Sequence, residues 1–175
     1  SRSEIDLINF VAKQRQDHKE KTGWDGLKTK SKKPRLELNK MGFGAEFIFC
    51  REMNLMPDFK VYNKSKENGS DEYDANYKGF SIDVKCTSKH YPLMVSPDLR
   101  SDCNIFAFFR SEFPYKSFRF IGFATNQMLF QEKNISYRYL NNYVLKDYDL
   151  INLNQLKTKL NIFEWSEYKQ FFISN

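Results

Sequence analysis

Apolar and polar positions along the 175 residues change period several times, and each change marks an expected element. Residues 4–21 place Ile5, Ile8, Phe10, Val11 and Ala12 ahead of a charged tail, which predicts a helix. Residues 41–56 are apolar on nearly every side, through Phe43, Ala45, Phe47, Ile48, Phe49, Cys50, Met53 and Leu55, as in a buried helix. Pro57 and Asp58 are expected to end that helix, and residues 59–62 to form a short strand. Apolar and polar residues alternate from Tyr73 to Tyr77 and, after Lys78-Gly79, again from Phe80 to Val84. The runs 104–110 and 118–124 are apolar enough for buried strands, with Pro114 in the turn between them. Thr125 suits the N-cap of a short helix reaching Phe130. Residues 143–145 form a further short strand, 152–160 are amphipathic, and 163–172 close the chain as a helix. This order predicts an α/β fold, a central mixed β-sheet flanked by α-helices.

Residues 22–40 break the periodicity. Gly, Pro and Ser alternate there with Lys28, Lys30, Lys32, Lys33, Arg35 and Lys40, a composition of solvated loops or of a flexible arm that touches phosphates. The expected organisation is an N-terminal helix and basic arm over residues 1–40, with a core over 41–175, together one compact domain. Aromatics at 17% and charged residues at 29% describe a packed chain rather than a disordered one. The net charge of +6 suits a polyanionic partner. No apolar stretch is long enough to span a bilayer, and the first residues do not read as a signal peptide, so an intracellular, cytoplasmic protein without a membrane partner is expected. Cys50, Cys86 and Cys103 are odd in number and widely spaced, which favours reduced thiols over disulfides or structural zinc. No G-x-S-x-G, P-loop or G-x-G-x-x-G motif is present.

Chemistry concentrates in the alternating stretch. With Lys78-Gly79 as a two-residue hairpin loop, Tyr77 opposes Phe80, Asn76 opposes Ser81, Ala75 opposes Ile82, and Asp74 falls across from Asp83. Tyr73, Ala75, Tyr77, Phe80, Ile82 and Val84 then share a buried face, while Asp74, Asn76, Ser81, Asp83 and Lys85 share the other. Opposed like charges destabilise a sheet, and a hard divalent cation between them removes that penalty. In the same register Glu72 opposes Lys85, so an ordinary cross-strand ion pair accounts for these charges as well. Glu46 needs its own explanation. Gly42, Phe43, Phe49 and Cys50 bracket it at helical spacing, and a carboxylate there calls for an ion pair, hydrogen bonds or a metal. Arg51 and Arg110 are available to pair with it or with Glu52. The aromatic-basic segments 114–120 and 137–139 suit either base stacking or core strands.

Glu46 on a buried helix, Asp74 opening a hairpin and Asp83-Val84-Lys85 on its return strand together resemble the PD-(D/E)xK nuclease superfamily, the restriction-endonuclease-like fold. Residues 42–46 match the helix glutamate, Asp74 the first aspartate, and residues 83–87 the (D/E)xK strand. The likeness continues more weakly through 101–109 and 120–125. Asp74 lacks a preceding proline, and Asp71 competes with it but falls on the apolar side of the register. The resemblance implies a restriction-endonuclease-like core and a Mg²⁺-dependent endonuclease that hydrolyses phosphodiester bonds in DNA, with Mn²⁺ as a substitute. It implies that Asp74, Asp83 and the Val84 carbonyl hold the metal, that Glu46 completes the site or holds a second ion, and that Lys85 orients or activates water. Thr87 and Lys89, on the same strand face, and Lys30, Lys32, Lys33 and Arg35 of the basic arm are the candidate DNA contacts. Duplex cutting by one small site implies a homodimer. The alternative is a catalytically inactive nucleic-acid-binding domain that retains the nuclease fold.

Overall fold

A computed structural model of the chain describes residues 1–22, 34–59, 61, 73–88, 90–97 and 103–160. Helix α1 (Arg2–Thr22) packs along α2 (Arg35–Glu52), with Ile8 and Val11 against Phe43 and Phe47. Asn39 ties the two polar flanks, donating to Gln16 at 2.8 Å and accepting from Lys19 at 3.1 Å. Helix α2 starts earlier than its apolar pattern indicates. Arg35 to Lys40, expected in a loop, is its first part, because Pro34 is tolerated at the helix boundary and Arg, Leu, Glu and Lys are strong helix formers. It also stops earlier, at Glu52, where Asn54 turns into the left-handed region (φ 54°) and ends the helix ahead of Pro57. The strand expected over 59–62 does not form at Phe59 or Val61, and Lys60 and Tyr62 lie outside the described residues.

The hairpin has the expected register. Strand β1 (Ala75–Tyr77) pairs with β2 (Phe80–Thr87) through Ala75–Ile82, Asn76–Ser81 and Tyr77–Phe80. Lys78 and Gly79 both take positive φ, at 49° and 86°, as a two-residue loop between twisted strands requires. Next comes a short strand, β3 (Leu93–Val95), then β4 (Ile105–Arg110) and β5 (Arg119–Thr125). Thr125 caps α3 (Asn126–Leu129) by accepting the Met128 N–H at 3.3 Å, the N-cap its sequence position suggests. Strands β6 (Ile135–Ser136) and β7 (Asn142–Leu145) and helix α4 (Leu153–Leu160) complete the described fold. The helix expected over 163–172 lies outside it.

The fold is α/β, with a central mixed sheet flanked by helices. Its order is β1–β2–β4–β5, antiparallel at both margins and parallel between β2 and β4. Strands buried on both faces read as continuous apolar runs, and β4 is buried from Ile105 through Phe109. One face, with Ile82, Val84, Ile105, Ala107 and Phe109, packs on Ala45 and Phe49 of α2, on Met53 just past its end, and on Leu153 and Leu156 of α4. The other face, with Phe106 and Phe108, packs on a small antiparallel sheet ordered β3–β7–β6 and on Leu129. Alternation in strands of two to four residues is too short to signal that second sheet in the sequence. Cys50 and Cys103 are buried and Cys86 is half-buried, all three as free thiols. No described helix is long and apolar enough to cross a membrane.

Candidate active site

The ladder between β1 and β2 stops one pair short of the expected Asp74–Asp83 pairing. Beyond Ala75, the Asp74 N–H bonds the Ile82 carbonyl at 2.9 Å, and its carboxylate accepts the Val84 N–H at 2.6 Å. A side-chain oxygen thus stands where the next strand carbonyl would. This change of role releases Tyr73, expected on the buried face, to 43% exposure. It also leaves β2 from Asp83 onward with no strand partner on that edge among the described residues. In a strand the N–H and C=O of one residue point the same way, so the Val84 carbonyl faces this open edge with Asp74.

Asp83 and Lys85 project together, as their spacing requires, on the face shared by Phe106 and Phe108. The Lys85 ammonium lies 2.7 Å from the Asp83 carboxylate. Glu46 reaches the same edge from α2, on the opposite layer. Neither Arg51 nor Arg110 is its partner. Arg51 pairs with Glu52 at 2.6 Å and with Glu4 at 2.9 Å, and Arg110 grips Asp147 at 2.7 Å. The cation at Glu46 is Arg15 of α1, at 3.1 Å, which also donates to the Asp58 carbonyl at 2.8 Å and stacks 4.7 Å over Phe43. Sequence reasoning missed Arg15. Its only local signal is an arginine placed one helical turn beyond Val11 and Ala12, on the side that faces α2.

Electrostatics tie these residues into one group. Burial raises the Asp74 carboxyl well above its ordinary range, and the charges of Glu46 and Asp83 raise it further, against the Val84 hydrogen bond and Lys85. Burial likewise raises Glu46, opposed mainly by Arg15, with Asp83 adding repulsion and Lys85 attraction. Burial works to lower the Lys85 amine, but Asp83 and then Asp74 outweigh it and hold the amine protonated. Lys85 is therefore a cation at neutral pH, suited to stabilise negative charge rather than to accept a proton. Burial and the charges of Glu46, Asp74 and Asp58 push the Cys50 thiol up to about 12, which makes it inert as a nucleophile.

Among the described residues, no three His, Cys, Asp or Glu side chains stand at metal-ligand spacing. Each acid is instead drawn to an internal partner, Glu46 to Arg15, Asp74 to the Val84 N–H and Asp83 to Lys85. The donor set nevertheless suits a hard divalent cation. Asp74, Asp83, the Val84 carbonyl and Glu46 all offer oxygen, and the mutual repulsion of the carboxylates is what such an ion relieves. Thr87 lies two residues beyond Lys85 on the same strand face. Arg35 does not join the group: it stands eleven residues before Glu46, about 16 Å along α2. Lys30, Lys32, Lys33 and Lys89 lie outside the described residues. A scan against protein-family models finds no match for this chain, and no curated protein or solved structure matches it.

Repulsion at Asp74 has a measurable consequence. A carboxyl whose folded pKa is raised binds its proton more tightly folded than unfolded. Stability therefore falls as pH climbs from the ordinary carboxyl range through the raised value. Asp74→Asn keeps an oxygen for the Val84 N–H and removes the charge. In EDTA at about pH 8 it is expected to melt about 3 °C above the parent, with a flatter pH dependence. A lower melting temperature with the slope unchanged would show that Asp74 is not under repulsion.

Proposed function

We propose that this protein is a metal-dependent nuclease that hydrolyses phosphodiester bonds in DNA, an endonuclease of the PD-(D/E)xK kind. The observation that carries this reading is the gathering of Glu46, Asp74, Asp83 and Lys85 from a helix and both strands of a hairpin at one open strand edge, where burial and mutual repulsion perturb Glu46 and Asp74. Perturbed, coupled titratable groups of this kind mark functional sites more often than ordinary surface pairs do. Asp74, Asp83 and the Val84 carbonyl would hold a Mg²⁺ ion, with Glu46 completing the shell. A bound ion would neutralise the scissile phosphate and favour formation of a hydroxide nucleophile.

The chain's own groups supply the rest. Asp83, fixed by its neighbour, holds Lys85 charged and beside the acids. From there the ammonium orients the attacking water and meets the negative charge that grows on the phosphoryl oxygens. Arg15 anchors Glu46 and offsets part of the acidic field, which limits repulsion of an incoming phosphate. One observation favours the second reading, a nucleic-acid-binding domain that does not cleave: the ion pairs Lys85–Asp83 and Arg15–Glu46 already satisfy two of the acids internally.

Incubation with supercoiled plasmid separates the two. Nicking or linearisation in Mg²⁺ or Mn²⁺, abolished by EDTA, is the expected result. Retardation of the DNA without cleavage in either metal would establish the binding domain instead, and neither outcome would dismiss both readings.

A further inference from the structure

Beyond the acidic edge, the same sheet face leads to a second polar feature. Lys85 is paired with Phe108 and Thr87 with Arg110, so Arg110 lies on the Lys85 face two positions further along β4. That step is about 7 Å, the rise of about two stacked nucleotides. The Arg110 guanidinium lies 5.7 Å over the Phe108 ring, in keeping with a shared face, and is pinned by Asp147 and the Tyr91 carbonyl. At this point a half-open cleft of about 760 Å³ begins, walled by the end of β4, by β6 and β7 and by the turns around them. A smaller cleft of about 290 Å³ adjoins it, sharing His90 and Arg110 and reaching Phe118 and Arg119.

The lining of the larger cleft repeats one motif. Arg138 lies 5.7 Å over the Tyr139 ring, and Lys146 lies 5.4 Å over the Tyr148 ring. Lys133 faces the same space, so four guanidinium or ammonium groups meet two carboxylates, and Asp147 is already held by Arg110. Tyr148 is 77% exposed, so its ring stands open to the cleft beside the Lys146 ammonium. Beside this wall, between Tyr139 and Asn142, the chain makes a tight turn. Leu140 and Asn141 both sit in the left-handed region, at φ 59° and 60°, and the Asn141 N–H closes the turn onto Ser136 at 3.0 Å. A bulky leucine in that conformation is strained, and strain of this kind gathers at binding sites.

We propose that this cleft binds a short single-stranded segment of nucleic acid, its bases stacked on Tyr139 and Tyr148 and its phosphates met by Lys133, Arg138 and Lys146. The pairing of ring with cation is what each nucleotide offers in complement, a flat π-face joined to a negative phosphate. Rings at the wall of an open cleft, Tyr148 exposed and Tyr139 half-buried, take unstacked bases, which a duplex does not present. Both aromatic-basic segments of the sequence, 114–120 and 137–139, thereby border one path, through Phe118 and Arg119 on one side and Arg138 and Tyr139 on the other. That the strand runs on to Lys85 rests on the nuclease reading; binding in the cleft does not.

Fluorescence anisotropy in EDTA isolates binding from cleavage, with an end-labelled oligothymidylate about ten nucleotides long as the probe. Tyr148→Ala and Lys146→Ala change exposed side chains, so circular dichroism should report an unaltered fold. Each is expected to weaken binding about tenfold, as is an abasic oligomer of the same length and charge. Unchanged binding by both cleft variants, equal binding of the abasic oligomer, preference for a duplex of the same length, or no binding at all would each overturn the proposal. Tight binding without cleavage in Mg²⁺ or Mn²⁺ would sink the nuclease reading and leave the cleft standing. Cleavage by a protein whose cleft variants bind normally would do the reverse.

Discussion

Lys85→Ala is expected to yield a folded protein that cleaves plasmid in Mg²⁺ about 10²–10³-fold more slowly than the parent, the loss that follows removal of one preorganised charge donor at a reacting centre. Burial alone would lower the amine, yet Asp83 at 2.7 Å and the more distant Asp74 raise it, so the side chain carries a full positive charge across the working range of pH. A cation held in place beside three carboxylates adds little to folding but much to a transition state in which a phosphoryl group gains negative charge. The stability cost should stay near 1 kcal/mol, because the Lys85 side chain is 33% exposed and water screens its pairing. Lys85→Gln, which keeps length and loses charge, should be nearly as slow. If either variant cleaves at the parental rate while unfolding normally, Lys85 is only the structural partner of Asp83 and the proposed role is wrong.

How much of this site could be read from the residues alone depended on how local each determinant is. The hairpin was legible from Ala75 to Ile82, because a two-residue loop at Lys78-Gly79 leaves one register, but not at Tyr73 and Asp74, where the ladder ends. Strands β4 and β5 were legible as unbroken apolar runs, since a strand covered on both sides has no polar face to hide. The start of α2 was not. Charged residues from Arg35 to Lys40 resemble a loop until one sees that their apolar neighbours, Leu36 and Leu38, are half-buried. At Asp74 the backbone ladder gave way to a side-chain hydrogen bond, a choice set by where the strand ends rather than by its pattern. Arg15 was beyond reach for a different reason. Thirty-one residues separate it from Glu46, and only the packing of α1 on α2 makes them neighbours.

Arg15 also sets the second large effect. Arg15→Ala removes the guanidinium from a Glu46 side chain that is only 18% exposed, together with the bond to the Asp58 carbonyl and the stacking on Phe43. Leaving a largely buried carboxylate unpaired costs about 3 kcal/mol, which for a chain of this size corresponds to a fall of about 10 °C in melting temperature. Glu46→Gln relieves the charge, so the double variant should recover part of the loss, and a thermodynamic cycle should return a coupling of about 2 kcal/mol. The same variant tests what Glu46 is for. With Arg15 gone, the acids at the strand edge lack one internal cation, and a divalent ion that binds them favours the folded state by mass action. Excess Mg²⁺ should therefore raise the melting temperature of Arg15→Ala more than that of the parent, and should raise that of Arg15→Ala with Asp83→Asn hardly at all. An equal response of the single variant and the parent to Mg²⁺ would make Glu46 an anchor between α1 and α2 and remove it from the metal site.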